Sequence, residues 1–176
     1  MDRRVCSFIQ DVERRLWKLG VPVTTRHNEV APSQYEMAPI YERVSVACDH
    51  NMITMETLRE VAAYHGLACL LHEKPFAGVN GSGKHNNWSV ETNTGENLMD
   101  PGKTPNSNTR FMLVLAALTR AVSLHGDLLR CAIAVPGNEH RLGIFPPFLI
   151  ILIFQVKMKP LLLLSPFMSE IHLLKL

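Results

Sequence analysis

The sequence predicts an α+β or mixed α/β fold, on three observations. Apolar residues recur at helical spacing in three segments, short apolar runs between them read as strands, and no internal repeat is present. From Arg4 to Leu19, the residues Val5, Phe8, Ile9, Val12, Leu16 and Leu19 form one helical stripe, and Gly20 follows as a cap. The charged residues of this segment, Asp11, Glu13, Arg14, Arg15 and Lys18, are expected on a solvated face. Residues 21–25 and about 35–42 read as strands around a polar loop holding Pro32 and Ser33. A second helix is expected from about Asp49 to His65, with Met52, Leu58, Val61 and Ala62 inward and Gly66 ending it. Leu67–Leu71 reads as a short buried strand. Residues 78–108 turn to Gly, Asn, Ser, Thr and Pro and read as long loops, which in a compact domain tend to carry function. A third helix is expected from Asn108 or Thr109 to about Ile133, capped by Asn108, with Met112, Leu115, Leu118, Val122 and Leu129 towards a core.

Composition narrows the function classes. With 47% hydrophobic and 19% charged residues, the chain can bury one core, which excludes disorder for most of it. A net charge of +2 without a block of Lys and Arg excludes a nucleic-acid partner, because phosphate binding needs clustered basic groups. Cys6, Cys48, Cys69 and Cys131 lie far apart with no C-x-x-C pair, so they are expected as buried small hydrophobes in a reducing compartment. The N-terminus has no long apolar run with a cleavage site, so the expected location is cytoplasmic. Ile144 to Leu176 is strongly apolar. Its first run is short for a bilayer, and Lys157, Lys159 and Pro160 interrupt any extension. A buried strand or helix without its partners, or an aberrant reading frame, is expected ahead of a membrane anchor.

Three segments place polar residues in defined clusters beside apolar runs, where burial is otherwise costly. In Arg26-His27-Asn28-Glu29-Val30-Ala31-Pro32-Ser33-Gln34-Tyr35-Glu36, the carboxylates of Glu29 and Glu36 flank a turn. Two carboxylates brought together repel unless a cation lies between them, and oxygen-rich sites suit Mg²⁺ or Mn²⁺. The competing reading is two surface glutamates on adjacent strands. Lys74 to Ser89 contains Gly78, Gly81 and Gly83, which let backbone approach a ligand. It is not a phosphate loop, since His85 rather than Ser or Thr follows Lys84. In Asn138-Glu139-His140-Arg141-Leu142, Arg141 can fork onto a carboxylate or phosphate, or stand as a surface arginine at a helix end.

Taken in this order, the three segments resemble glutamine synthetases, and Trp17 to Gly143 is similar to the type III branch in particular. The residues that carry the resemblance are Glu29-Val30-Ala31-Pro32-x-Gln34-x-Glu36, Lys74-Pro75-Phe76 and Asn80-Gly81-Ser82-Gly83-x-His85. The resemblance implies an α+β catalytic domain with antiparallel strands lining the site and helices covering one side. It implies ATP-dependent ligation, in which the glutamate γ-carboxylate takes a phosphoryl group to give γ-glutamyl phosphate and ammonia displaces phosphate. Glu29 and Glu36 would bind a first Mg²⁺ or Mn²⁺ and His85 a second, nearer the nucleotide. Asn80 and Gly81 would hold the amino acid, Asn87 and Ser89 would lie by ATP, and Arg141 would bind the substrate carboxylate and serve catalysis. Asn87 stands where other branches have histidine. The family assembles as homo-oligomeric rings whose subunits share active sites.

The same resemblance implies a catalytic domain truncated at both ends, spanning 1–143, with an aberrant tail at 144–176. An ion wants about six ligands, so so few protein groups imply weak binding. The alternative is a non-catalytic remnant that binds nucleotide or metal weakly or associates with intact subunits. A membrane-tethered protein using residues 144–164 is the lesser reading.

Overall fold

The computed structural model describes residues 2–72, 74–81, 86–133 and 169–175. Among these residues, three α-helices and four strands follow in the order α1 (Arg3–Lys18), β1 (Val23–Asn28), β2 (Gln34–Pro39), α2 (Val44–Tyr64), β3 (Leu67–Leu70), α3 (Thr109–Ile133) and β4 (Ser169–Lys175), with a 3-10 turn at Pro105–Ser107. The described residues fall into two compact units, one holding 2–72, 74–81, 86–87 and 169–175, the other 88–133. An α+β class with an antiparallel sheet is what the sequence led one to expect.

In the first unit the α1 stripe does what its spacing requires. Val5, Phe8, Ile9, Val12 and Leu16 are buried together with Val21, Val23, Tyr35, Met37, Leu58, Val61, Ala62 and Leu67. The Asp2 carboxylate caps the helix by accepting from the Arg4 amide at 2.7 Å. At the other end Leu19 donates to the last turn, and Gly20 takes φ +85°, where a side chain is strained. Two helix-to-strand ties follow: Trp17 Nε1 donates to the Val23 carbonyl at 2.8 Å, and Arg26 of β1 pairs with Glu13 of α1.

Glu13 therefore departs from the solvated face expected of it. It sits one helical turn from Ile9 and from Leu16, inside the apolar stripe, and is 5% exposed. A buried carboxylate needs a cation, and Arg26 supplies it. Asp11 is likewise tied, accepting from His65 at 2.8 Å, a bond that holds its carboxyl below the usual range.

α2 starts at Val44, about five residues before the sequence suggested, after Arg43 in extended conformation. Its buried stripe runs through Ala47, Thr54, Thr57, Leu58, Val61 and Ala62. Met52 lies about 120° from Leu58 at 100° per residue and is exposed, contrary to expectation. The helix ends at Gly66, φ +60°, whose carbonyl accepts from Arg4 Nη2 at 2.8 Å while the His65 carbonyl accepts from Arg4 Nε at 3.2 Å. A cation at the C-terminal carbonyls of α2 locks the start of α1 to the end of α2.

The sheet order is β1-β2-β4-β3, antiparallel throughout. In β2 alternation decides faces: Tyr35 and Met37 join the core with α1 and α2, so Gln34, Glu36 and Ala38 occupy the opposite face. β4 comes from the far end of the chain and lies between β2 and β3; the apolar run from 144, read as a strand or helix without its partners, lies outside the described residues.

In the second unit the loop at 90–98 folds back on itself. Leu98 donates to Val90, Thr92 donates to Glu96, and Gly95 turns at φ +82°. Asn108 Oδ1 accepts from the Phe111 amide at 3.1 Å, capping α3 as expected. Among the described residues of α3, Phe111 is buried and Leu115, Leu118 and Val122 are half-buried. Met112 and Leu129 are exposed rather than inward, since among the described residues α3 packs on little beyond the 3-10 turn. Thr109–Ala132 is long and apolar enough to cross a membrane, a property that core helices of soluble proteins share.

The cysteines also differ from expectation. Cys48 and Cys131 are exposed and Cys6 and Cys69 half-buried. Cys48 falls off the buried stripe of α2 and Cys131 lies in the last turns of α3. Burial pushes the Cys69 thiol up to about 11.

Candidate metal centre

β1 and β2 meet across a short turn that fixes the site. The Glu29 amide donates to the Gln34 carbonyl at 3.0 Å, and the Gln34 amide donates to the Ala31 carbonyl at 3.2 Å. Ser33 takes φ +56°, the left-handed conformation a tight reversal demands. With the turn set, register places His27 opposite Glu36, Asn28 opposite Tyr35, and Arg26 opposite Met37. Arg26 therefore faces α1 and Glu13, while His27 and Glu36 share the opposite face.

Glu29, just past the end of β1, joins them. His27 Nε2 lies 2.9 Å from Glu29 Oε1 and 3.1 Å from Glu36 Oε2. One ligand atom from each of the three residues lies within 4.8 Å of the others. The Glu36 side chain is 4% exposed, that of Glu29 19% and that of His27 47%, so the cluster is closed on the Glu36 side and open at the imidazole. The hydrogen bond with Glu36 holds the Glu29 carboxyl below the usual carboxylate range, and the bond from His27 adds to this.

This donor set fits a divalent cation. Two carboxylates crowded together, one of them buried, gain from a positive charge between them. Carboxylate oxygens suit Mg²⁺ and Mn²⁺, and the imidazole nitrogen favours the softer of the two. His27 was not singled out by sequence reasoning. The signal that could have found it is the alternation of β1: it is the residue that a two-residue-period strand places on the face of Glu36.

The other sequence-predicted residues are of three kinds. Asn80 is exposed and Gly81 half-buried in irregular backbone of the first unit, and Asn87 is half-buried there. Ser89 belongs to the second unit, where its hydroxyl donates to Asn97 Oδ1 at 2.5 Å. Asn97 Oδ1 also accepts from the Met99 amide at 2.8 Å, so Ser89 is held by a loop-closing asparagine. His85 and Arg141 lie outside the described residues.

The family described as "Glutamine synthetase, catalytic domain" matches residues 2–120. A protein named type-3 glutamine synthetase from Dictyostelium discoideum is 63% identical over 143 residues, covering 81% of this chain and 20% of the relative. A glutamine synthetase from Butyrivibrio fibrisolvens is 54% identical over 140 residues, covering 80% of this chain and 20% of its own. One from Bacteroides fragilis is 51% identical over 140 residues, covering 80% and 19%. The chain spans about a fifth of the length of these curated relatives. The match across the strand-turn-strand that bears Glu29 and Glu36, with these identities, means that the chain belongs to the glutamine synthetase family, in its type III branch.

Proposed function

We propose that the chain carries the metal-binding strand pair of a glutamate–ammonia ligase, the ATP-dependent condensation of ammonia with glutamate through γ-glutamyl phosphate. The observation that supports this most directly is the convergence of His27, Glu29 and Glu36 within 4.8 Å, in a segment matched by the family.

Bound there, Mg²⁺ or Mn²⁺ would supply charge neutralisation for the developing negative charge of phosphoryl transfer. The chain's own residues do the positioning. Glu36, held in the middle of β2, gives a rigid carboxylate, and Glu29, held by the turn, gives a second at fixed spacing. His27 reaches both carboxylates and offers a ring nitrogen as a third donor to the ion. His85 belongs to a second ion, Asn80 and Gly81 to the amino acid, Asn87 and Ser89 to ATP, and Arg141 to the glutamate carboxylate. Ring assembly from identical subunits and a cytoplasmic location complete the reading, with neither nucleic acid nor membrane as a partner.

The test is calorimetric titration of the purified chain with Mn²⁺ and ATP, followed by a γ-glutamyl transfer assay on the same sample. Binding with turnover is expected if the chain acts alone, and turnover only on adding intact subunits if it acts within a ring. Binding of neither ligand by a folded sample would overturn the proposal and leave a non-catalytic remnant.

A further inference from the structure

The turn that joins β1 to β2 fixes a fourth polar residue beside the three of the metal centre. The register pairs His27 with Glu36 and Asn28 with Tyr35. The Glu29 amide donates to the Gln34 carbonyl at 3.0 Å, which carries the pairing one step further, to Glu29 and Gln34. Side chains two apart on a strand share a face. Gln34 therefore lies on the face of Glu36, away from Tyr35 and Met37 in the core, and directly across from Glu29. The pairs His27 with Glu36 and Glu29 with Gln34 form two rows of one block, and residues opposite one another in this way stand about 4.5–5.5 Å apart at Cβ.

Gln34 is the most deeply buried of the four, at 1% exposure against 3% for Glu36. Glutamine is mostly found at the surface, and an amide taken out of water is costly unless its donors and acceptor are used. Methionine has the same length and avoids that cost, so an amide here calls for polar work on the metal face. The neighbouring carboxylates define that work. In the ion-free structure the Glu29 carboxylate is held by hydrogen bonds with Glu36 and His27. A cation shared by these three residues takes the place of those bonds, and Glu29, which lies past the end of β1, then needs another donor to keep its carboxylate turned to the ion. A glutamine amide offers two N–H donors and no charge. A lysine at this place would compete with the ion, and a glutamate would repel Glu29 across the strands.

We propose that Gln34 is a positioning residue of the divalent-cation site, its side-chain amide bracing the Glu29 carboxylate for the ion. The proposal rests on the reading of His27, Glu29 and Glu36 as a metal site. It adds the reason that a buried amide stands across from Glu29. Groups that orient a ligand without touching the ion set its affinity, and losing one weakens binding about 10–100-fold.

The test uses the full chain with Mn²⁺ as the probe, free Mn²⁺ being read by electron paramagnetic resonance. Gln34→Met, which keeps the length and removes the amide, is expected to weaken Mn²⁺ binding roughly tenfold or more. Met37→Leu, on the core face of the same strand, should leave it unchanged. Because Gln34 acts through Glu29, adding Gln34→Met to Glu29→Gln should cost no more than about a further twofold. Equal losses in the two backgrounds would mean that Gln34 supports the strand pair alone and would overturn the proposal, as would wild-type affinity in folded Gln34→Met. A second measurement uses the wild-type chain. Titration with diamagnetic Mg²⁺ should shift the side-chain amide signals of Gln34, identified by their loss in Gln34→Met, together with the backbone amide signal of Glu29. A shift at Glu29 without one at Gln34 overturns the role of Gln34 and leaves the three-residue site standing. Absence of Mn²⁺ binding by folded wild-type chain overturns both.

Discussion

His27 takes its importance from its place in a ladder rather than from its neighbours in sequence. Glu29 and Glu36 could be singled out because carboxylates across a turn pose an electrostatic problem that the chain itself displays. For His27 the chain offers only the alternation of β1, because its partner Glu36 is nine residues away and the pairing exists only once the turn at Val30–Ser33 sets the register. The same geometry predicts a pH response. The Glu29 carboxyl is held below its usual range, first by the hydrogen bond with Glu36. A carboxyl depressed in the folded state adds stability above its unfolded value, and that stability is lost as pH falls through the folded value. The metal-free chain should therefore lose stability as pH drops below about 4.3. In urea midpoints measured across that range, Glu29→Gln should flatten this acid limb, and an unchanged limb in the variant would show that Glu29 has no part in it.

The behaviour of α1 shows what a helical stripe conveys and where it stops. Its phase located Val5, Phe8, Ile9, Val12 and Leu16 in the core and also passes through Glu13, a charged residue that composition alone assigns to solvent. Arg26, opposite Met37 on the helix-facing side of β1, resolves the conflict. Arg26→Ala should leave a buried carboxylate without its cation and cost about 1–3 kcal/mol, towards the lower end because the arginine itself is 42% exposed. Replacing Glu13 and Arg26 together with leucine should recover most of that loss. Urea denaturation of the single and double variants checks both; a double variant no better than Arg26→Ala would mean the pair is needed for more than its charge. α2 carries the complementary lesson. Its buried stripe includes Thr54 and Thr57, so a search for apolar residues alone put Met52 inside and began the helix late. Thr54 is accommodated because its hydroxyl donates to the His50 carbonyl at 2.7 Å.

At the scale of the molecule, the first unit is a sheet whose middle is supplied from the end of the chain. β4 pairs with β2 on one side and with β3 on the other. Deleting residues 169–176 should leave an unpaired edge on β2 and another on β3, and exposed edges recruit other chains. The shortened chain should run at larger, concentration-dependent size by light scattering; a monodisperse species of unchanged assembly state would show that the edges are covered in another way. The sequence by itself determined the two helices of the first unit and the third of the second, the strand pair, the loop-rich middle and the family, because helical period, turn chemistry and motif spacing are local properties of the chain. Tertiary structure alone decided that β4 lies between β2 and β3, that His27 stands opposite Glu36, and that Glu13 is buried on Arg26. The physical reason is that strand register and buried ion pairs depend on hydrogen bonds and desolvation between residues far apart in sequence, which no local pattern specifies.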